Sequence, residues 1–142
     1  MQNILVPIDG SDAALRALKE AVKMAQQQKE ACVLHVLNVQ PPIISNNAAR
    51  FFTADVLKAY YDDAGKEALT NAKKLLATLD LPHEVHIEVG PVTEIITRYV
   101  DKYNCDHLVM GTRGLGAVPG LLLGSVATKV LNAVEIPVTL IK

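Results

Sequence analysis

Cysteine and tryptophan are scarce in this sequence. The chain of 142 residues contains no tryptophan and two cysteines, which do not form a CxxC motif. Cys32 and Cys105 lie in apolar contexts far apart, so we interpret them as buried free thiols. Such low cysteine use is typical of a reducing compartment, and a chain of this length needs no disulfide to bury a sizeable core.

The sequence also lacks an excess of charge of either sign and any long apolar run. The formal net charge is −1, which argues against a nucleic-acid partner and against electrostatic attraction to a membrane. No apolar run approaches the roughly 18–20 residues of a membrane span. The first residues lack the basic start and apolar core of a signal peptide. We therefore expect one cytoplasmic domain over residues 1–142, with neither nucleic acid nor membrane as partner.

Strand patterns recur at regular intervals along the chain. Short apolar runs predict strands at residues 4–8, 32–39, 107–110 and 137–141, and most of these runs lack the alternation of a half-exposed strand. Residues 85–89 alternate apolar and polar side chains, which indicates an edge strand with one wet face.

Helical patterns occupy the intervals between these strands. Helices are predicted from residue 12 to about 29, from 53 to about 79, in a short segment opened by Gly90-Pro91, and over about 122–133. Ser11 or Asp12 can cap the first helix, and Gly65 is expected to weaken or bend the second. Residues 40–52 are predicted to form a loop. Five strands alternating with four helices predict an α/β fold, a parallel sheet with helices on both faces.

Two polar segments directly follow predicted strands. Asp9-Gly10-Ser11 comes after the first strand, and residues 111–116 come after the fourth. Ligands of open parallel sheets bind at the carboxyl ends of the strands, where the strand order reverses. A binding site is therefore expected where these two segments meet, provided that the first and fourth strands are neighbours.

Residues 111–124, here called the glycine loop, concentrate most of the glycine in the chain. Five of its eight glycines fall within these fourteen residues, at positions Gly111, Gly114, Gly116, Gly120 and Gly124. Glycine lets successive backbone N–H groups converge on an anion, and the N-terminus of the following helix favours phosphate. Ser125 adds a hydroxyl and Arg113 a charge. The alternative is that these glycines only make a flexible turn.

Two common phosphate-binding motifs do not fit the glycine loop. A P-loop requires a lysine directly before its Ser or Thr, whereas Ser125 follows Gly124 and Lys129 comes four residues later. The dinucleotide fingerprint GxGxxG follows a first strand, and this loop follows the fourth. The sequence therefore argues against a P-loop enzyme and against a nicotinamide-dependent dehydrogenase.

Catalytic and metal-binding patterns are missing from the sequence. His35 lies among apolar residues and is interpreted as a satisfied core histidine, while His83, His86 and His107 lack the spacing of metal ligands. No nucleophile stands beside a general base. We therefore predict no catalytic residue and no zinc site.

The spacing Gly111, Gly114, Gly124, Ser125 resembles the nucleotide-binding branch of the universal stress protein family. That branch carries a glycine, two residues, a glycine, nine residues, and then glycine with Ser or Thr. The first strand and turn at residues 4–11, the second strand around Leu34-His35-Val36 and the last strand at residues 136–138 also resemble the family. The likeness covers the whole chain.

The resemblance implies a fold and a set of ligand contacts. The fold would be Rossmann-like, of the adenine nucleotide alpha hydrolase-like type, with the five strands in the order 3-2-1-4-5. Asp9 would serve as the ribose-side or metal-side carboxylate of the bound nucleotide. The matching positions around adenine and ribose are Pro7, Asp9 and Val36, and those around ribose and phosphate are Met110, Gly111, Gly114, Gly124, Ser125 and Val126.

The resemblance also implies a function. The chain would be an ATP-binding regulatory protein of the stress response, taking ATP with Mg²⁺ or Mn²⁺ and hydrolysing it slowly or not at all. It would form a homodimer through the last strand and act on a protein partner that the sequence does not identify. Two alternatives stay open, namely a dimeric interaction module that binds no nucleotide, and an enzyme that transfers adenylyl groups or hydrolyses nucleotides.

Overall fold

The computed structural model describes residues 1–43, 50–116 and 118–142. The loop predicted over residues 40–52 therefore lies partly outside the described residues. The strands are β1 (Asn3–Pro7), β2 (Val33–Gln40), β3 (His83–Val89), β4 (His107–Gly111) and β5 (Val138–Ile141). The described helices are α1 (Asp12–Gln26), α2 (Ala54–Ala68), α3 (Thr70–Ala77), α4 (Val92–Lys102) and α5 (Ser125–Ala133).

The five strands form one parallel sheet in the order β3-β2-β1-β4-β5. This order confirms the predicted fold class, and it makes β1 and β4 neighbours. Leu5 of the central strand pairs with His35 on one side and with Leu108 on the other. Because all strands run in the same direction, the segments that follow β1 and β4 meet at one edge of the sheet.

Helices cover both faces of the sheet, as the alternating pattern predicts. On one face, α1 and α3 pack on side chains such as Ile4, Val6 and Leu34. On the other face, α4 and α5 pack on side chains such as Leu5 and Leu108. All five side chains are fully buried, and burying each contributes about 1.5–3 kcal/mol relative to exposure. Both faces of β1 are thus apolar, which explains the unbroken apolar run in its sequence.

The first helix begins with a side-chain cap. Ser11 is its N-cap, and the Ser11 hydroxyl accepts a hydrogen bond from the backbone N–H of Ala14 at 3.2 Å. Asp12 is the first helical residue and places a carboxylate in the first turn, where the helix dipole favours negative charge. Of the two candidate caps, Ser11 is therefore the one used, and Asp9 is left available for other contacts.

The long helix predicted over residues 53–79 is interrupted at Leu69, four residues beyond Gly65, the position at which weakening or a bend was expected. The hydroxyl of Thr70 donates to the carbonyl of Lys66 at 3.0 Å, a backbone contact of the kind that bends helices. Gly65 lies within α2 and is buried against β3. A Cβ at Gly65 would stand 2.6 Å from Cγ2 of Ile87. Gly65 therefore permits close packing of helix on sheet.

The two edges of the sheet are β3 and β5. β3 pairs only with β2 within the described residues, and most of its residues are partly or fully exposed, as predicted for an edge strand. β5 pairs with β4, and its four residues are half-buried. Across residues 1–43, 50–116 and 118–142, none of the helices combines the length and hydrophobicity that crossing a membrane requires.

Candidate functional site

A cavity of about 340 Å³ opens where β1 and β4 end. Its volume falls at the lower end of the range typical of small-molecule sites, roughly 300–1,000 Å³. Segments after both strands line it, together with the start of α5. Eight of the nine residues that the resemblance implies line this one cavity, namely Pro7, Asp9, Met110, Gly111, Gly114, Gly124, Ser125 and Val126.

Val36 is the ninth residue, and it lies apart from the cavity. Its side chain is fully buried in the core on the α1 face of the sheet. Successive residues of a strand point to opposite faces, so its neighbour Leu37 faces the other way. Leu37 and Val39 line the cavity from β2.

Asp9 connects the end of β1 to the glycine loop. Its Oδ1 accepts a hydrogen bond from the N–H of Ser11 at 2.9 Å, and its Oδ2 accepts one from the N–H of Leu115 at 3.1 Å. Hydrogen bonds to an ionised carboxylate are the stronger kind. Asp9 therefore links the glycine loop to the turn between β1 and α1, and Asp9 itself lines the cavity.

Two of the three motif glycines lie where a neighbouring group leaves little or no room for a side chain. A Cβ at Gly114 would collide with Oδ2 of Asp9. A Cβ at Gly111 would stand 3.1 Å from Cβ of Ala13, which is a tight contact, whereas one at Gly124 would stand 3.4 Å from Cα of Arg113, which is an ordinary contact. Gly111 and Gly114 therefore differ from glycines that only make a turn.

Gly116 and Gly120 are turn glycines. Their φ angles are 71° and 86°, in the region that side-chain-bearing residues rarely adopt. A Cβ at either position would meet nothing within 4 Å. The interpretation of the loop as a flexible turn thus suits these two glycines and does not account for Gly111 and Gly114.

Helix α5 begins at the cavity. It starts at Ser125, three residues later than predicted, because the N–H of its N-cap Gly124 donates to the carbonyl of Thr112 at 2.7 Å. This bond ties the two ends of the glycine loop together. Residues of the first turn line the cavity, and that turn carries no acidic side chain. The unpaired N–H groups and dipole of a helix N-terminus favour an anion in this position.

The charge balance of the cavity is close to neutral. Among its described lining residues, Asp9 and Arg113 carry charge, and no histidine, lysine or cysteine is present. The Arg113 side chain belongs to an exposed residue. Asp9 is the carboxylate of this lining set. Its two oxygens accept backbone N–H groups, and neither is hydrogen-bonded to the hydroxyl of Ser11 or Ser125. The arrangement is therefore suited to holding an anion and offers no nucleophile paired with a base.

Several lining residues were not identified from the sequence. They form an apolar wall supplied by β2, α4 and the segments after β1 and β2, made of Ile8, Leu37, Val39, Pro41, Val92 and Ile96. Leu37 and Val39 alternate with residues on the other face of β2. This alternation along β2 can be read from the sequence. Because the strand is apolar on both faces, however, the sequence does not show which set of alternating residues faces the cavity.

His35 departs from its expected state. It is 3% exposed, and its Nε2 lies 3.0 Å from Oδ1 of Asn3. Its Nδ1 has no hydrogen-bond partner among the described residues, so the expectation of a fully satisfied core histidine is wrong for this atom. Burial lowers the pKa of His35 below its ordinary value, an effect partly opposed by Glu84.

Comparison with known proteins agrees with this fold. The model of the Universal stress protein family matches residues 1–142. A universal stress protein of Methanocaldococcus jannaschii is 31% identical, with 99% of this chain and 82% of that protein covered. The solved universal stress protein UspA from Lactobacillus plantarum has a TM-score of 0.82 at 27% identity, covering 99% of this chain and 97% of that one.

One similar structure contains a nucleotide. It is a universal stress protein in complex with cAMP, with a TM-score of 0.71 at 27% identity, covering 99% of this chain and 97% of that one. The family match extends over every residue of the sequence. The chain therefore belongs to the universal stress protein family.

Proposed function

We propose that this chain binds ATP in the cavity at the ends of β1 and β4 and acts as a regulatory protein of the stress response. The observation that carries the proposal is the convergence of three features on one cavity. These are the carboxylate of Asp9, the close-packed glycines of the glycine loop and the first turn of α5.

The apolar wall of the cavity suits an adenine ring. Pro7 and Ile8 come from the end of β1, Leu37 and Val39 from β2, and Ile96 from α4. A planar base gains binding energy by leaving water for such a surface, at about 25 cal/mol per Å² of apolar area. Binding of cAMP by a relative of the same fold supports the choice of an adenine nucleotide.

The opposite side of the cavity suits phosphates. Ser125 offers a hydroxyl and the first turn of α5 offers backbone N–H groups. Because the charged residues of the described lining are one Arg and one Asp, whose charges cancel, side chains do not neutralise a triphosphate. A Mg²⁺ or Mn²⁺ ion would supply the missing positive charge. Asp9, whose carboxylate lines the cavity, is the residue that would hold such a hard cation.

The lack of a general base supports a holding role. Water attack on the γ-phosphate is accelerated by groups that orient the nucleophile and neutralise charge. The described lining residues offer a single carboxylate, Asp9, and it already accepts two backbone N–H groups. We therefore infer slow hydrolysis or none, and the proposal assigns no catalytic residue.

Regulation would act through the exposed surface of the glycine loop. Leu115, Val118 and Leu121 line the cavity, yet they are 70%, 57% and 51% exposed. A ligand that contacts the loop therefore changes the position of large apolar side chains at the surface. Ordering of a segment by a γ-phosphate is a known type of switch, and a protein partner would recognise the ordered form.

Calorimetry with the whole protein tests ATP binding. ATP with Mg²⁺ should bind at one site per chain and more tightly than AMP, because the β- and γ-phosphates reach the first turn of α5. GTP serves as the control for recognition of the base, and it should bind at least about tenfold more weakly. Absence of heat and of a thermal shift at millimolar ATP would reject the proposal.

The alternative is a non-nucleotide, dimeric interaction module, whose function does not depend on a bound nucleotide. The apolar exposure of the glycine loop favours it, since Leu115 and Leu122 are 70% and 78% exposed. Such patches are typical of protein contacts. Gly114→Val separates the two functions, because unchanged in-cell function together with lost ATP binding would favour the interaction module.

The proposed homodimer would form through β5. This strand lies at the edge of the sheet and pairs only with β4 among the described residues. An open strand edge presents unpaired N–H and carbonyl groups to a second chain. Solution scattering at working concentration should give the mass of two chains, and a monomeric mass would contradict the dimer.

A further inference from the structure

Three metal-ligating side chains meet at the β2–β3 edge, outside the lining of the nucleotide cavity. They are His35, Glu84 and His86, called the histidine cluster below. The parallel register pairs His35 with Glu84 and Leu37 with His86. All three side chains therefore stand on the α4 face of the sheet, although 49 residues of sequence separate His35 from Glu84.

The ligand atoms of the histidine cluster point toward one another. Oε2 of Glu84 lies 3.6 Å from Nδ1 of His35 and 3.4 Å from Nε2 of His86. The three ligand atoms lie within 4.8 Å of one another. For zinc bonds of about 2.0–2.1 Å, neighbouring ligand atoms of a tetrahedron stand about 3.4 Å apart. The two distances to Glu84 thus fit ligands that share one ion.

Two nitrogen atoms of the cluster lack hydrogen-bond partners. Nδ1 of His35 and Nε2 of His86 are buried and have none among the described residues. Both distances to the Glu84 carboxylate are too long or poorly placed for a hydrogen bond. Unsatisfied buried polar atoms are rare in proteins and cost about 1–3 kcal/mol each, so an additional group is expected between them.

Asn3 fixes the orientation of the His35 ring. Its Oδ1 lies 3.0 Å from Nε2 of His35. Because an amide oxygen accepts, the neutral ring in this contact carries its proton on Nε2 and its lone pair on Nδ1, the atom nearest Glu84. A lone pair facing a carboxylate is repulsive unless a cation lies between them. Metal-bound histidines typically donate their other ring N–H to an oxygen in this way.

We propose that His35, Glu84 and His86 bind a divalent transition metal, Zn²⁺ in the first place, as three protein ligands with one position left open. This inference does not depend on nucleotide binding. It replaces the prediction of no zinc site. That prediction considered the spacing of histidines along the sequence and not their position on paired strands.

The surroundings of the cluster suit a bound ion. The rings of Tyr99 and Tyr103 pack against His86, with centroids 5.1 Å and 5.0 Å away. The tyrosines limit the ring orientations and exclude water from one side. The side chain of Glu84 is 54% exposed, which leaves a path for the ion to enter.

The donor set favours zinc over magnesium or calcium. Two imidazole nitrogens and one carboxylate are the ligands of many open zinc sites. Mg²⁺ and Ca²⁺ prefer oxygen donors, and they would find one carboxylate here. Ni²⁺ and Cu²⁺ also accept such donors, so competition among these ions is part of the test.

Calorimetry of the whole, metal-free protein with ZnCl₂ tests the proposal. One Zn²⁺ should bind per chain, and Mg²⁺ should give no competing heat. Glu84→Gln and His86→Gln should each weaken zinc binding at least about tenfold, because each removes a direct ligand. Co²⁺ should show the strong visible bands of a tetrahedral site, and Glu84→Gln should remove them.

His83→Gln is the matched control for these variants. His83 lies on the same strand, is exposed, and its Nδ1 lies 2.8 Å from the carbonyl oxygen of Leu81. Its loss should leave zinc affinity within about twofold. Circular dichroism of the metal-free variants separates loss of ligand from loss of fold, and the exposed side chain of Glu84 makes Glu84→Gln the variant least prone to unfold.

Two results would overturn the proposal. One is the absence of zinc binding by the folded, metal-free protein. The other is equal weakening by His83→Gln and Glu84→Gln, which would place the zinc elsewhere on the surface.

Discussion

The nucleotide cavity and the histidine cluster are built from different parts of the polypeptide. Backbone groups dominate the first, through the glycine loop and the start of α5. Side chains of two paired strands make the second, through His35, Glu84 and His86. A site made of backbone groups depends on the lack of a side chain at positions such as Gly114. A site made of side chains from two strands depends on the register in which those strands pair.

Gly114→Val is expected to have the largest effect of the substitutions, and it should act on the nucleotide cavity and not on the histidine cluster. The valine side chain would collide with Oδ2 of Asp9 and displace the carboxylate that holds the loop. We expect the affinity for ATP to fall about 100-fold, which corresponds to about 2.7 kcal/mol. Calorimetry measures this loss, and zinc binding should be unchanged because the two sites share no residues.

Gly116→Ala is the control for Gly114→Val. It changes the same loop, but a Cβ there would meet nothing within 4 Å, so only the strain of a φ of 71° is added. ATP affinity should fall less than about tenfold. Equal losses for both variants would mean that general stiffness of the loop matters and that contact with Asp9 does not.

Gly65→Ala tests whether helix packing supports the β2–β3 edge. The new Cβ would stand 2.6 Å from Cγ2 of Ile87 on β3. Overpacking of this kind costs about 1–3 kcal/mol, and the gain in helix propensity returns up to about 1 kcal/mol. We expect a net loss of about 1–2 kcal/mol in the free energy of unfolding, measured by urea denaturation.

The exposed Glu67 supplies the matched change on the same helix. Glu67→Ala should alter the free energy of unfolding by less than about 0.5 kcal/mol. If Gly65→Ala is equally mild, β3 moves away from the helix at little cost. The zinc affinity should then change instead, because Glu84 and His86 lie on that strand.

The different construction of the two regions also explains how much of each could be predicted from the sequence. Gly111, Gly114, Gly124 and Ser125 lie on one continuous strand, loop and helix, so their spacing is visible in the chain itself. The prediction of a binding site required β1 and β4 to be neighbours, and the order 3-2-1-4-5 was implied by the family resemblance. The sheet order confirms both.

The face of β2 that meets the cavity could not be predicted. Both faces of this strand are buried for most of its length, so hydrophobicity does not distinguish Val36 from Leu37. The histidine cluster was missed for a related reason. Its geometry depends on the register that pairs His35 with Glu84, and register is a property of two strands together.

The helix break at Leu69 was missed because no glycine or proline marks it. Leu69 is a fully buried apolar residue, and the contact between the Thr70 hydroxyl and the carbonyl of Lys66 is local. Gly65 is the residue that breaks the helical pattern in the sequence. A glycine is required there because a Cβ would collide with Ile87 on β3. A glycine in a helix therefore indicates close packing as readily as a bend.

Ser125→Ala is expected to have a smaller effect on the nucleotide cavity than Gly114→Val. It removes one hydroxyl from the lining and leaves the backbone N–H groups of α5 in place. A hydrogen bond to a charged group contributes about 1.5 kcal/mol at the lower end of its range. We expect this lower value because the backbone N–H groups still bind the phosphates, so ATP affinity should fall roughly tenfold. Thr128→Ala, one turn later on the same helix, removes a hydroxyl that donates to the carbonyl of Gly124 and should leave the affinity almost unchanged.

The smallest effect is expected from substitution of a cysteine. This substitution tests whether zinc binds at the histidine cluster alone. Cys105 is 5% exposed, and burial raises its pKa to about 12. A raised pKa means that the neutral thiol is favoured, so at pH 8 about one molecule in ten thousand carries the thiolate. Since the thiolate is the form that reacts and binds metal, Cys105→Ala should leave the zinc titration unchanged. A thiol reagent should label Cys105 only as fast as the protein unfolds. Rapid labelling of the folded protein would contradict the burial of this thiol. Weaker zinc binding by Cys105→Ala would place the metal away from β2 and β3.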